Sequence, residues 1–190
     1  LRSVTIAAGA LDVDVPVVRA AGLLTLGGAV AAADQGEVYL VDAGGDRLSL
    51  GTLSLGSYEA LLLPGLYRAL YGARSLVMPP AGLPANAAVP LRALTLAANT
   101  TADLDVPRAA PLRGALTVAG APPPRSDAAQ LFLLGRAGDG DSVSLGTLDP
   151  GGFARNVLPG QYDLYYLATG APPSPLPGNY YRRLACVDVP

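Results

Sequence analysis

Residues 49–67 read SLGTLSLGSYEALLLPGLY, and residues 144–162 read SLGTLDPGGFARNVLPGQY. The opening SLGTL and the closing LPG-x-Y recur at the same offset of 95 residues. Two separate matches held at one spacing mark a duplicated structural unit. Upstream, VYLV at 38–41 parallels LFLL at 131–134, and GLLTLGGA at 22–29 parallels GALTVAGA at 114–121. DVP at 14–16 returns at 105–107, so the offset shrinks to 91 toward that end. One reason is visible: VDAGGDRLSLG becomes LGRAGDGDSVSLG, two residues longer, at a hairpin tip where added chain costs little.

Downstream, LPANAAVPLRALTL at 83–96 aligns with LPGNYYRRLACVDV at 176–189. The first residues, LRSVTIAAGALDVDVP, resemble LRALTLAANTTADLDVP at 91–107, so the opening strand reads like the closing strand of a preceding unit. The expected organisation is a first repeat over 1–100 and a second over 101–190, with residues 1–9 a strand shared with a preceding unit. Such a chain is a window on a longer array, or a subunit whose terminal strand pairs with a neighbour.

Within each copy, apolar and polar residues alternate over short runs bounded by Gly, Pro, Asn and Asp, the pattern of half-buried strands. The first copy gives strands at Ala10–Val15, Gly22–Leu26, Glu37–Asp42, Arg47–Leu53, Tyr58–Leu62, Leu66–Tyr71 and Leu91–Ala97. The second gives Ala102–Val106, Gly114–Val118, Ala129–Leu134, Ser142–Leu148, Gly152–Val157, Gln161–Leu167 and Arg183–Val189. Seven strands in about 95 residues predicts an all-β chain of two tandem seven-stranded antiparallel β-sandwich domains, transthyretin-like or Ig-like. Pro64-Gly65 and Pro159-Gly160 suit the centre of type II turns, with glycine left-handed. The segments 77–90 and 169–179 read as Pro-rich loops, and 97–103 as a linker.

Composition excludes much chemistry. All 13 basic residues are arginine, and there is no lysine and no histidine. Without histidine no catalytic triad of the usual kind or imidazole metal site can form; without lysine there is no Schiff base or P-loop. The net charge of −2 is scattered, which argues against nucleic-acid binding. No uninterrupted apolar run is long enough to span a membrane. The single Cys186 cannot form an internal disulfide and is expected as a small buried strand residue. Arginine in place of lysine, with abundant Ala, Gly and Pro, points to a GC-rich bacterial source, so the sequon Asn99-Thr100-Thr101 carries little weight.

The order G-x-L-T-[LV]-x-G, an apolar strand, a glycine-tipped hairpin, an aromatic at Tyr58 or Phe153, and then LPG-x-Y resembles the transthyretin-like, carboxypeptidase-regulatory-like (prealbumin-type) sandwich domains. The resemblance covers nearly the whole chain, twice. It implies a non-catalytic module that occurs as repeats in extracellular and cell-surface proteins. Related collagen-adhesin B-type domains often carry a Lys–Asn cross-link, which a chain without lysine cannot make.

Candidate sites are few. Asp42 and Asp46, and Asp139 and Asp141, occupy Gly-rich tips where aspartate is an ordinary turn residue, so no metal and no cofactor is expected. Alternation places Tyr67 with Tyr71, and Tyr162 with Tyr166, on core faces, and turns Tyr165 the opposite way. Tyr180, Tyr181, Arg182 and Arg183 lie in or beside a loop and form the expected interface or ligand-contact patch. The functional expectation is a spacer, stalk or fibre protomer of a bacterial surface or secreted protein, self-associating or packing on neighbouring repeats, with strand addition between units. The alternative is an adhesin domain that binds a glycan or protein.

Overall fold

Alternating runs become strands wherever a partner is available to take their backbone bonds, and in this chain the availability of partners decides where strands stop. A computed structural model describes residues 14–32, 36–74, 82–137, 140–169, 175–178 and 180–190. The N-terminal half contains β1 (Val18–Leu26), β2 (Gly36–Asp42), β3 (Arg47–Thr52), β4 (Ser57–Leu62), β5 (Gly65–Ala73), β6 (Val89–Leu96), β7 (Thr100–Thr101) and β8 (Leu104–Val106). The C-terminal half contains β9 (Ala110–Gly114), β10 (Ser126–Gly135), β11 (Ser142–Leu148), β12 (Phe153–Val157), β13 (Gly160–Ala168) and β14 (Arg182–Val189). The protein is all-β with several sheets; among the described residues the only helical segment is one 3-10 turn at Leu53–Leu55.

Two four-stranded sheets share one order, β3-β2-β5-β6 in the first half and β11-β10-β13-β14 in the second. Each is antiparallel throughout. A further sheet in the first half places β4 antiparallel to β1, while β7 and β8 run parallel to β1. In the second half β9 pairs with β12 alone among the described residues.

Period-two alternation sends every second side chain inward. Val38, Leu40, Ala69, Tyr71, Leu94 and Leu96 meet Leu24, Leu104 and Val106 in one buried cluster. Leu131, Leu133, Val143, Leu145, Tyr162 and Tyr166 meet Val157 and Val189 in another. Burying one such leucine contributes about 1.5–3 kcal/mol. The halves exchange a residue: Leu158 packs in the first cluster and Ala85 in the second.

Several expectations are corrected. The sheets are not wholly antiparallel, because Ala20–Ala21 and Leu24–Leu26 of β1 take parallel partners. The strand assigned to the second copy at Ala102–Val106 belongs by pairing to the first half, as Leu104↔Leu24 and Val106↔Leu26. The linker expected at 97–103 contains β7. The strand expected at Gly114–Val118 ends at Gly114. Its counterpart β1 runs on to Leu26 because β8 lies beside Leu24–Leu26, and no described strand lies beside Leu116–Val118. Gly65 and Gly160 do not sit in left-handed turns: they open β5 and β13, paired to Leu96 and Val189. Cys186 is exposed, with its sulfur 2.7 Å from an Arg183 nitrogen. The strand expected at Ala10–Val15, the shared strand at 1–9 and Asp139 lie wholly or partly outside the described residues, as do parts of both expected loops.

Candidate functional site at the junction of the two halves

The turn Leu83–Asn86 leaves the first half and inserts against the second. Leu83, Ala85 and Asn86 are all buried. Tyr71, fully buried in the first cluster, donates its hydroxyl to the Pro84 carbonyl at 2.8 Å, which ties the turn to its own half. Burial pushes the Tyr71 phenol up from its ordinary range, so it remains a donor. The turn then hands its backbone across. Ala85 N–H donates to Asn156 O and Ala87 N–H to Ser142 O, each at 2.8 Å, while Ala73 N–H donates to Asn86 O at 2.8 Å.

Asn86 is 0% exposed, a burial that an amide tolerates only when its polar atoms are satisfied. Its Nδ2 donates to the Asp141 carboxylate at 2.5 Å and to the Tyr162 hydroxyl at 3.0 Å. Its Oδ1 accepts the Leu158 N–H at 2.9 Å. Tyr162 donates in turn to the Leu158 carbonyl at 3.0 Å. A neutral amide serves here because it donates to a carboxylate and accepts a backbone N–H with one planar group. Beside this network Arg47 stacks over the Tyr39 ring at 3.4 Å. Desolvation raises the Tyr39 phenol pKa, opposed by Arg47 and reinforced by Glu37 and Asp141.

A second seam binds β7 and β8 to β1. Asp103 Oδ1 accepts Leu23 N–H at 2.9 Å, and Asp105 Oδ1 accepts the Thr25 hydroxyl at 2.5 Å and Gly28 N–H at 2.8 Å. Asn99 Oδ1 accepts Arg19 N–H at 2.9 Å, so the sequon asparagine serves as a backbone clasp. Tyr58 reaches the Ala102 carbonyl at 2.7 Å. The residue at the matching position in the second half is Phe153, which has no hydroxyl to offer.

The turn Val118–Ala121 repeats the bonding of Leu26–Ala29: Leu26 N–H donates to Ala29 O and Val118 N–H to Ala121 O, each at 2.8 Å. Yet Leu24 is fully buried while Leu116 is only half-buried. Leu116, Val118, Tyr166, Pro177 and Leu184 line a cleft of about 270 Å³ there.

Of the expected patch, Tyr180 is 77% and Tyr181 50% exposed, and Arg182 and Arg183 open β14 on the surface. Tyr181 packs on Tyr165 at 4.6 Å between ring centroids and on Phe132 at 5.6 Å. Phe132 and Tyr165 stack at 5.5 Å. Arg183 pairs with Asp163 at 2.8 Å, and Arg182 lines the cleft. Tyr165 lies outside the core cluster that holds Tyr162 and Tyr166, on the opposite face as alternation requires.

No family model matches the sequence, and no curated protein matches it. Among solved structures, the chain is similar to DUF3823 family proteins from Bacteroides ovatus (14% identity, TM-score 0.34, 91% of this chain and 99% of that one) and Parabacteroides merdae (17%, 0.35, 90% and 100%). It is also similar to a streptococcal ancillary pilin (13% identity, TM-score 0.34, 91% of this chain and 60% of that one).

Neither Asn86 nor Asp141 stands out as a junction residue in the sequence. The usable signal was the alignment of LPAN at 83–86 with LPGN at 176–179, and of Asp46 with Asp141. Among the described residues no group of acids and cysteine is placed to hold a metal ion, and no helix is long and apolar enough to cross a membrane.

Proposed function

We propose that this chain is a non-catalytic structural module of a bacterial cell-surface or secreted protein. It consists of two β-sandwich units, transthyretin-like in plan, the first closing at Val106, and serves as a spacer, stalk or fibre protomer. It takes no cofactor and no nucleic acid, and its partners are units of the same kind.

The observation that carries this reading is the unequal flanking of β1 and β9. β1 is covered on one side by β4 and on the other by β7 and β8, whereas β9 has β12 alone among the described residues. The cleft beside Leu116 occupies the position that β8 covers in the first half. An open edge next to a half-buried apolar cleft is a template for strand addition. The strand it fits reads D-x-D-V-P, as Asp103–Pro107 does, and LDVDVP at 11–16 repeats that pattern. Val15 is 58% exposed where its counterpart Val106 is 0%.

The reading is tested by titrating the full chain with a synthetic peptide of residues 99–108 and following amide hydrogen exchange. Saturable protection of Ala110–Gly114 and of Leu116–Val118 is expected. Unchanged exchange there at millimolar peptide would remove strand addition.

A second reading, an adhesin domain that binds a glycan or protein, draws on the Phe132–Tyr165–Tyr181 stack with Tyr180 beside it, since exposed rings stack on sugar faces. Glycan-array binding that disappears in the Tyr180→Ala, Tyr181→Ala double variant would favour it; an array without signal would end it.

A further inference from the structure

The junction occurs once among the described residues, but its acceptor side occurs twice. Asp141, Val143, Leu158 and Tyr162 receive the Leu83–Asn86 turn; Asp46, Leu48, Leu63 and Tyr67 stand 95 residues before them. Two local bonds recur in both places. Asp42 N–H donates to Asp46 O at 3.1 Å, and Gly135 N–H to Asp141 O at 2.9 Å. Tyr67 donates to Leu63 O at 2.8 Å as Tyr162 does to Leu158 O at 3.0 Å.

Burial separates the two. Leu158 is 3% exposed and Val143 0%, both at the junction, whereas Leu63 is 53% and Leu48 40% exposed. Asp141 is buried and Asp46 exposed. The N-terminal half thus displays, ready built, the apolar contacts, the carboxylate and the braced tyrosine that the C-terminal half uses to hold a turn. Leu48 and Leu63 hold the repeat positions of Val143 and Leu158, so a turn seated on them would take apolar surface out of water as it does at the junction.

The donor is also present twice. Leu176 is 7% exposed against 2% for Leu83, and Pro177 O accepts the Tyr166 hydroxyl at 2.7 Å as Pro84 O accepts that of Tyr71 at 2.8 Å. The residue after Gly178 is Asn179, at the sequence position of Asn86; it lies outside the described residues.

We infer that the Asp46, Leu48, Leu63 and Tyr67 face is a docking site for a second copy of this chain, which seats its Leu176–Gly178 turn there end-on, as Leu83–Asn86 seats within the chain. The occupant is specified by chemistry. An apolar turn fills the space over Leu48 and Leu63, and a backbone N–H beyond it meets the Asp46 carboxylate, as Ala88 N–H meets Asp141 Oδ1 within the chain. The inference rests on the reading of the chain as a module that packs on its own kind.

Sedimentation equilibrium of the full chain tests it, from micromolar to millimolar concentration, with Leu63→Asp, Asp46→Ala and Leu55→Ser. Leu55 is as exposed as Leu63, but its counterpart Pro150 is exposed too, so it lies off the docking face. The wild type and Leu55→Ser should associate alike, Asp46→Ala about 10-fold more weakly, and Leu63→Asp about 100-fold more weakly. Because both target side chains are exposed, thermal unfolding of the variants should match the wild type. Wild-type association that neither Asp46→Ala nor Leu63→Asp weakens overturns the docking site and leaves the module reading standing. A wild type that stays monomeric at millimolar concentration overturns the docking site, and with an unprotected β9 in the peptide titration it overturns the module reading as well.

Discussion

Replacing Asn86 with alanine is expected to lower the unfolding free energy by about 3 kcal/mol and to split one unfolding transition into two. The magnitude follows from what the amide satisfies. Its removal strands the Leu158 N–H and takes from the Asp141 carboxylate a donor at 2.5 Å, both at buried positions. Leaving buried polar groups unpaired costs far more than the net worth of the bonds themselves. The splitting follows from position. Asn86 is the side chain through which the first half's turn holds Tyr162 and Leu158 of the second, so its loss uncouples the halves while each keeps its own core. Urea denaturation followed by tyrosine fluorescence and by hydrogen exchange reads both effects. A single transition at the wild-type midpoint would contradict the role given to this residue.

A methyl group at Gly22 is expected to be the second costly change, about 2–4 kcal/mol for Gly22→Ala. A Cβ built there overlaps the Ala102 carbonyl and lies 3.1 Å from the Asp103 nitrogen. Both obstacles are backbone, which cannot swing aside as the end of a long side chain can. The segment 100–106, with β7 and β8, must therefore withdraw, giving up the Tyr58–Ala102 bond and the Asp103 bond to Leu23. Gly178 makes the contrast: a Cβ there meets nothing within 4 Å among the described residues, and Gly178→Ala should be neutral in thermal unfolding. Hydrogen exchange should show 100–106 opening in Gly22→Ala alone. Unaltered protection of that segment would show that the close crossing at Ala102 is not what Gly22 is there to permit.

Strand composition was legible because alternation reports burial, and β2, β3, β5, β11, β13 and β14 fall within one or two residues of their expected bounds. The tyrosine faces were legible for the same reason. What alternation cannot report is which partner a strand takes. Ala102–Val106 carries a strand pattern wherever it pairs, and its assignment to the first half depends on Asp103, Asp105 and Asn99 meeting the backbone of β1. The β9 boundary differs for a related reason: Leu116–Val118 has the same pattern as Leu24–Leu26 but, among the described residues, no neighbour that makes the pattern a strand.

The site was less legible than the fold. Tyr180 to Arg183 stand out in the sequence as aromatics and cations near a loop, and Tyr181 joins an aromatic cluster. The junction depends on a buried asparagine, a residue type that sequence reading assigns to turns by default. Only the pairing of the two LP-x-N turns and the two aspartates across the repeat carried a trace of it. Strand membership does not bring burial to Cys186, because among the described residues β14 pairs with β13 alone.

The central claim, that this chain is a building unit which packs end-on against its own kind, is tested most directly by electron microscopy of the purified protein over a concentration series. The account predicts linear, end-to-end particles that lengthen with concentration and shorten in Leu63→Asp. Isolated particles of one chain at every concentration would contradict it.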